Sequence, residues 1–400
     1  MKREKESTLW LLTILIPVTL ILWSCADKNY AEYGLKNFHR GKFREAILYF
    51  DKALEDHSSS SELYFNRGVA WSELGNYDQA IEDYTHALRL NPYYADACCN
   101  RGLAWIKKGN VNNGISDYNS AVNINPLFLH AYLLRGNAWA KKGNFELSIS
   151  DYTKILELKK DSVEAYHNRG YSYFELEKYE NAIRDYTKAL EVNPNYLRAY
   201  VHRGKAFKKL KDLENALEDY KKAITLSPQT PQLYEALGDL WYEEGNYDQA
   251  IWNYTKAIRI APQNSKFYLK KGDAYYQKGV FDDAIFYYMS SLKLDPLNIT
   301  ANNSLSWILA TCPNEDYRDG AKAVKLSEIA IKQAPNNIFV LNTMSAAYAE
   351  KGRFEEAVYF IKKAISLLDK RENYQKLLEY EKQLASYERK EPWRENPLNP

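Results

Sequence analysis

Eight glycines recur in this chain at one interval: Gly34, Gly68, Gly102, Gly136, Gly170, Gly204, Gly238 and Gly272, each 34 residues from the last. A period of that size marks a supersecondary unit that cannot bury its apolar face alone and stacks on copies of itself. Twelve residues after each glycine stands a small residue (Ala46, Ala80, Gly114, Ser148, Ala182, Ala216, Ala250, Ala284). Four further on comes an aromatic (Phe50, Tyr84, Tyr118, Tyr152, Tyr186, Tyr220, Tyr254, Tyr288). Glycine inside a helix costs about 1 kcal/mol relative to alanine, so eight in one register call for a close approach between backbones. The small residue twelve on is the natural facing partner. Ile81, Tyr84, Ala87 and Leu88 have helical spacing, and sustained strand alternation is absent. The pairs Asn91-Pro92, Asn125-Pro126 and Asn193-Pro194 can supply a left-handed cap and a residue that cannot continue the helix. The unit is helix, turn, helix, stop.

Stretches such as Tyr64 to Pro92 (YFNRGVAWSELGNYDQAIEDYTHALRLNP) resemble tetratricopeptide repeats, matching that family's glycine, alanine, aromatic and proline positions. With the glycine as position 8, repeats begin at Asp27, Ser61, Ala95, Leu129, Val163, Leu197, Pro231 and Ser265, and a ninth and tenth open at Ile299 and Ile338. The resemblance implies an all-α fold, a right-handed αα-superhelix of helix-turn-helix repeats. The ninth repeat departs from the pattern, with Ser306 at the glycine position and an insertion before Ala323. There Pro313 should end the first helix and Asp319 can cap the second. The tenth has Ser345 for glycine but keeps Gly352, Phe354, Ala357 and Ala364. Asn373 to Arg389 then reads as a polar-faced helix of the kind that caps a solenoid.

Copies within one chain can be compared with each other. Five repeats carry arginine before the glycine (Arg67, Arg101, Arg135, Arg169, Arg203), and the same five carry aspartate sixteen residues later (Asp83, Asp117, Asp151, Asp185, Asp219). Elsewhere both change together: Tyr33 goes with Tyr49, Leu237 with Asn253, and Lys271 with Tyr287. The two positions therefore act as an interacting pair between the helices of a unit, and the partnered charges read as architecture rather than as a grip on an anionic ligand.

Before the repeats, Lys2, Arg3 and Lys5 precede an uncharged, mostly apolar run from Leu9 to Trp23, short for a membrane span and suited to the h-region of a signal peptide. Leu22-Trp23-Ser24-Cys25 resembles a bacterial lipobox, with bulky Trp23 and acidic Glu4 and Glu6 as departures. The resemblance implies that Cys25 is lipidated and becomes the mature N-terminus. The basic end then stays in the cytoplasm and the repeats lie outside it, as a membrane-anchored lipoprotein of the cell envelope facing away from the cytoplasm. The expected organisation is a signal peptide over 1–24, a short tether over 25–29, about ten repeats over 30–371, a capping helix over 372–390 and a tail over 391–400.

The formal charge is +2. Such a balance, with no block of basic residues, gives no argument for nucleic acid. Length alone would suggest two or three domains, but with no Gly/Ser-rich linker one elongated solenoid is the better count. Cys98, Cys99 and Cys312 read as buried free thiols. His130, His167 and His202 fall on the inner face of three successive repeats. One helix-packing distance, on the order of 10 Å, would separate them, too far for a shared metal. No phosphate loop, nucleophile elbow or paired metal motif appears, so neither catalysis nor a cofactor is expected.

The function expected is a membrane-tethered scaffold holding protein or peptide partners in a concave groove during envelope assembly or secretion. The alternatives are a small-molecule or glycan binder of an envelope transport or export system, favoured by groove aromatics such as Tyr171 and Tyr242, and a structural spacer or homo-oligomer. By the family resemblance, positions 2, 5, 6, 9, 12 and 13 of each first helix face the groove, and these offsets trace one helical face. In the fifth repeat they hold Glu164, His167, Asn168, Tyr171, Phe174 and Glu175; in the sixth, Arg198, Val201, His202, Lys205, Lys208 and Lys209. The sixth is basic, and the seventh, with Glu235, Asp239 and Glu243, is acidic. Asn66, Asn100 and Asn168 occupy position 6, where an amide can bond an extended backbone. An acidic partner segment is expected near Lys205 and Lys208, with apolar side chains against Tyr171 and Phe174. The family's carboxylate clamp, lysine at position 5 with asparagine at position 9, is absent from every repeat.

Overall fold

The computed structural model describes residues 29–368 and 373–394. The expected signal segment and Cys25 lie outside them. Among the described residues there are 21 α-helices and no strand, and the chain divides into two compact units after Asn144, between the two helices of the fourth repeat. The first unit holds seven helices, from Tyr30–His39 to Leu129–Lys141. The second holds fourteen, from Phe145–Leu158 to Tyr374–Glu388, plus a short 3-10 turn at Glu315–Tyr317. Within each unit, successive helices pack as antiparallel pairs, and each pair packs on the next.

The repeat pattern explains this packing, with two corrections. A Cβ on Gly68 would lie 2.8 Å from Cε1 of Tyr84, and one on Gly272 would lie 2.7 Å from Tyr288. The glycine thus makes room for the aromatic sixteen residues on, rather than for the small residue twelve on. In the third and fifth repeats the small residue crowds it too, with the Gly114 and Ala182 carbonyl oxygens 3.0 and 3.3 Å from a Cβ on Gly102 and Gly170. The two repeats without the glycine confirm the point, because they lack the aromatic too. Ser306 faces Ser327, hydroxyl to hydroxyl at 2.6 Å, and the tenth repeat has Ile361.

The second correction concerns the caps. Asn91, Asn125 and Asn193 are extended, with φ of −132°, −127° and −134°, because a residue before proline avoids helical backbone. Their side chains instead accept from the amides two residues on, at 3.0 to 3.1 Å. The left-handed residue sits in the turn between the paired helices, as at Gly75 (φ 79°), and the fifth and sixth repeats place Glu177 and Lys211 there. In the ninth repeat the first helix ends at Thr311, just before Cys312-Pro313. Asp319 caps the second helix, accepting from the Lys322 amide at 2.8 Å.

Candidate binding groove

Four of the expected arginine–aspartate pairs lie wholly within one unit, and all four form: Arg67–Asp83, Arg101–Asp117, Arg169–Asp185 and Arg203–Asp219. Each is a two-pronged contact, with distances from 2.6 to 2.9 Å, that ties the helices of a repeat together. Burial pushes the carboxyls of Asp83 and Asp219 up, and the hydrogen bonds and charge of their arginines work against it. The third guanidinium nitrogen reaches the second helix of the preceding repeat, at Asp51, Thr85, Thr153 and Thr187 in turn, and Arg135 likewise reaches Asn119 at 2.8 Å. The arginines are therefore rungs of a ladder between repeats. Sequence reasoning missed this second link, although the signal was present: the position sixteen before each arginine always carries an acceptor, and before Leu237 it is Lys221. Where the arginine is absent, Lys271 donates to the Tyr287 hydroxyl at 2.9 Å and the Tyr33 and Tyr49 rings meet at 5.7 Å.

On the inner face the middle repeats are largely filled by their own side chains. His167 Nε2 lies 2.9 Å from His202 Nδ1, with the rings stacked, so the two are not separated by a helix-packing distance. Position 5 of one repeat and position 6 of the next lean together across the junction. Asn168 bonds the other nitrogen of His167 at 3.0 Å. Burial, then the charges of His167, Lys205 and Arg198, push His202 down to about 4. Burial lowers His167 as well, with Asn168 opposing it. Tyr171 is exposed and Phe174 half-buried against Tyr179; Asn66 and Asn100, in the first unit, are half-buried. Lys205 is exposed, but Lys208 bridges to Glu243 at 2.7 Å. Lys266 and Lys270 of the eighth repeat likewise hold Glu235 at 2.8 and 2.7 Å, and Lys270 also holds Asp239 at 2.5 Å. The opposed charges seen in the sixth and seventh repeats thus serve partly to join neighbouring repeats.

A cavity of about 320 Å³ opens farther along the second unit. It is lined by Tyr242 of the seventh repeat, Asp273, Tyr276 and Gln277 of the eighth, Asn303, Ser304 and Trp307 of the ninth, and Phe339, Asn342 and Thr343 of the tenth. All occupy positions 2, 5, 6, 9, 12 or 13, the face expected to bind. Tyr288 forms its floor, and Lys376, Glu379 and Tyr380 reach in from the terminal helix Tyr374–Glu388. The cavity lies on the face that sequence reasoning assigned to the groove, but of its lining residues that reasoning named Tyr242 as a groove aromatic and Tyr288 only as a packing residue. Among the described residues, no cluster of His, Cys, Asp and Glu is placed to hold a metal, and no helix is long and apolar enough to cross a membrane. Cys98, Cys99 and Cys312 are buried and take part in no disulfide among the described residues, and burial pushes the thiols of the first two up.

Stacked helix pairs with an inner face of variable side chains define a repeat scaffold, and the comparisons give its family. Tetratricopeptide repeat models match 61–94 and 163–196, and 95–126, 129–162 and 265–296; a TPR repeat model matches 204–243 and 238–279. The chain belongs to the tetratricopeptide repeat family, whose stacks are scaffolds for protein–protein interaction. The C-terminal part of a TPR repeat-containing protein from Cytophaga hutchinsonii shares the fold, at 24% identity and a TM-score of 0.53 over 59% of this chain and 97% of that one. A tetratricopeptide repeat protein from Parabacteroides merdae is 21% identical over 59% of this chain and 93% of its own, at a TM-score of 0.48. Yeast Tom70 is 16% identical over 90% and 95%, at 0.42. No curated protein matches the chain significantly.

Proposed function

We propose that this protein is a lipid-tethered scaffold of the bacterial cell envelope, anchored through Cys25 and facing away from the cytoplasm, that holds a protein segment on the inner face of its repeats. The observation carrying the binding role is the open cavity, built from the inner-face positions of four successive repeats and lined by aromatic rings and amides. The tether rests on the lipobox-like Leu22-Trp23-Ser24-Cys25 behind a basic, then apolar, N-terminal stretch. Lys205, Tyr171 and Phe174 extend the same face toward the middle repeats.

Two measurements test the two halves. Cys25→Ala should abolish lipid labelling and leave the precursor unprocessed; maturation at the same site with continued membrane fractionation would refute the tether. A photo-crosslinking residue at Tyr242 should form a protein adduct in cells, whereas one at Trp252, exposed on a second helix, should not. Adducts from Trp252 alone would move binding off this face.

A further inference from the structure

The inner face changes character between two junctions that share one register. At the seventh–eighth junction, position 9 is Asp239, which accepts from Tyr254 at 2.8 Å and takes its countercharge from Lys270, at position 6 of the following repeat. At the eighth–ninth junction, position 9 is again aspartate, Asp273, and again accepts a tyrosine hydroxyl, that of Tyr288, at 2.8 Å. Position 6 of the following repeat is here Ser304. The lysine is missing where the cavity opens. Burial pushes the Asp273 carboxyl up to about 6, with the Tyr288 hydrogen bond and the charge of Lys270 opposing it.

The rest of the lining is short of donors. The side-chain oxygens of Asn303 and Asn342 are buried and have no hydrogen-bond partner, and Asn342 is only 7% exposed. A buried acceptor left unpaired costs free energy that a ligand donor can recover. Glu379 adds a second carboxylate, and Lys376 lies over the Phe339 ring, 4.0 Å from its centroid. Of the two position-9 carboxylates on this face, Asp273 is the one that lacks a lysine at position 6 of the following repeat. Aromatic faces suit a flat, weakly hydrated cation.

We propose that this cavity receives an arginine side chain of the partner segment, its guanidinium standing where Lys270 stands one junction earlier. Asp273 supplies the countercharge, and Asn303 and Asn342 accept the remaining N–H groups. A guanidinium carries five donors in a plane and can serve three acceptors together, which an ammonium does less well. The inference rests on the scaffold reading above and names the chemistry that its groove selects.

The test uses the full chain in detergent and labelled serine/alanine decapeptides bearing one central arginine, lysine, glutamine or glutamate. The arginine peptide should bind at least tenfold more tightly than the glutamine and glutamate peptides. Asp273→Asn should remove that preference, and so should Ser304→Lys, which restores the missing lysine, with circular dichroism unchanged in both. Equal binding of the arginine and glutamine peptides overturns the inference, as does a preference that survives both substitutions. Displacement of a bound peptide by chitotriose, with no arginine preference, assigns the cavity to a sugar instead. A failed preference alongside a Tyr242 protein adduct in cells leaves the scaffold standing and removes only the arginine; loss of both removes the scaffold as well.

Discussion

The arginine ladder and the cavity beside Asp273 are built from the same part, a carboxylate withdrawn from solvent, and differ in where its countercharge comes from. Asp219 receives two hydrogen bonds from Arg203 of its own repeat. Asp239 is matched by Lys270 of the next repeat. Asp273 has a tyrosine hydroxyl and, where the lysine would stand, Ser304. The stacking guarantees the register of all three carboxylates, while each repeat's own residues decide whether the register is closed. The register left open inside the aromatic-lined cavity is where the proposed arginine would take the lysine's place.

Breaking a closed register should have the largest effect. Arg203→Leu strands Asp219, whose side chain is 3% exposed, and should cost about 3 to 5 kcal/mol in denaturant unfolding. Adding Asp219→Asn copies the combination this chain already uses at Leu237 and Asn253, and should recover more than half of that loss. Additive losses in the double-mutant cycle would show that the pair does not couple, and the contrast with Asp273 would lose its first term.

The open register should behave in the opposite sense. Burial holds Asp273 at about 6 instead of 3.8. The folded chain therefore binds more protons than the unfolded chain between those values, and stability falls as pH rises through the window. Asp273→Asn removes the charge and should stabilise the protein by roughly 1 to 3 kcal/mol at pH 7, with the gain shrinking toward zero near pH 4. The histidine pair slopes the other way: His202, held at about 4, is neutral in the fold and loses stability for it as pH falls below its ordinary 6.5. Comparing variant with wild type at each pH isolates the aspartate. A gain that is the same at pH 4 and pH 7, or no gain at all, would mean that Asp273 carries no unmet charge.

How much of this was legible beforehand follows from what repetition encodes. The 34-residue period set the helix pairs, their register and the inner face, because eight copies vote on each position. The Arg–Asp coupling was legible for the same reason. The small residue does approach the glycine in the third and fifth repeats, but the aromatic as its nearer neighbour was missed because offset alone does not say which side chain overlies a helix, although the joint loss of glycine and aromatic in the ninth and tenth repeats carries the answer. The His167–His202 contact was missed because positions 5 and 6 were treated as fixed columns, whereas side chains of successive repeats lean toward one another. The cavity was hardest to foresee. It depends on a residue that is not there, on Trp307 at the glycine-adjacent position of an irregular repeat, and on Lys376 and Glu379 reaching back from a helix outside the period.

The smallest expected effect sharpens the comparison from the exposed side. Lys208 and Glu243 also pair across a junction, at 2.7 Å, but their side chains are 30% and 53% exposed. Water screens such a pair, and holding two long side chains in one geometry offsets much of the attraction, so exposed bridges contribute about 0 to 1 kcal/mol. Lys208→Ala should therefore lower stability by roughly 0.5 kcal/mol or less, and the loss should vanish in about 1 M salt, where the screening length is near 3 Å. The Arg203→Leu loss should persist in the same salt, because its carboxylate is shielded from the ions. A Lys208→Ala loss above about 1 kcal/mol that survives high salt would place this bridge with the ladder. Closure of a register would then not depend on burial, and the reading of Asp273 as the unmet case would need another cause.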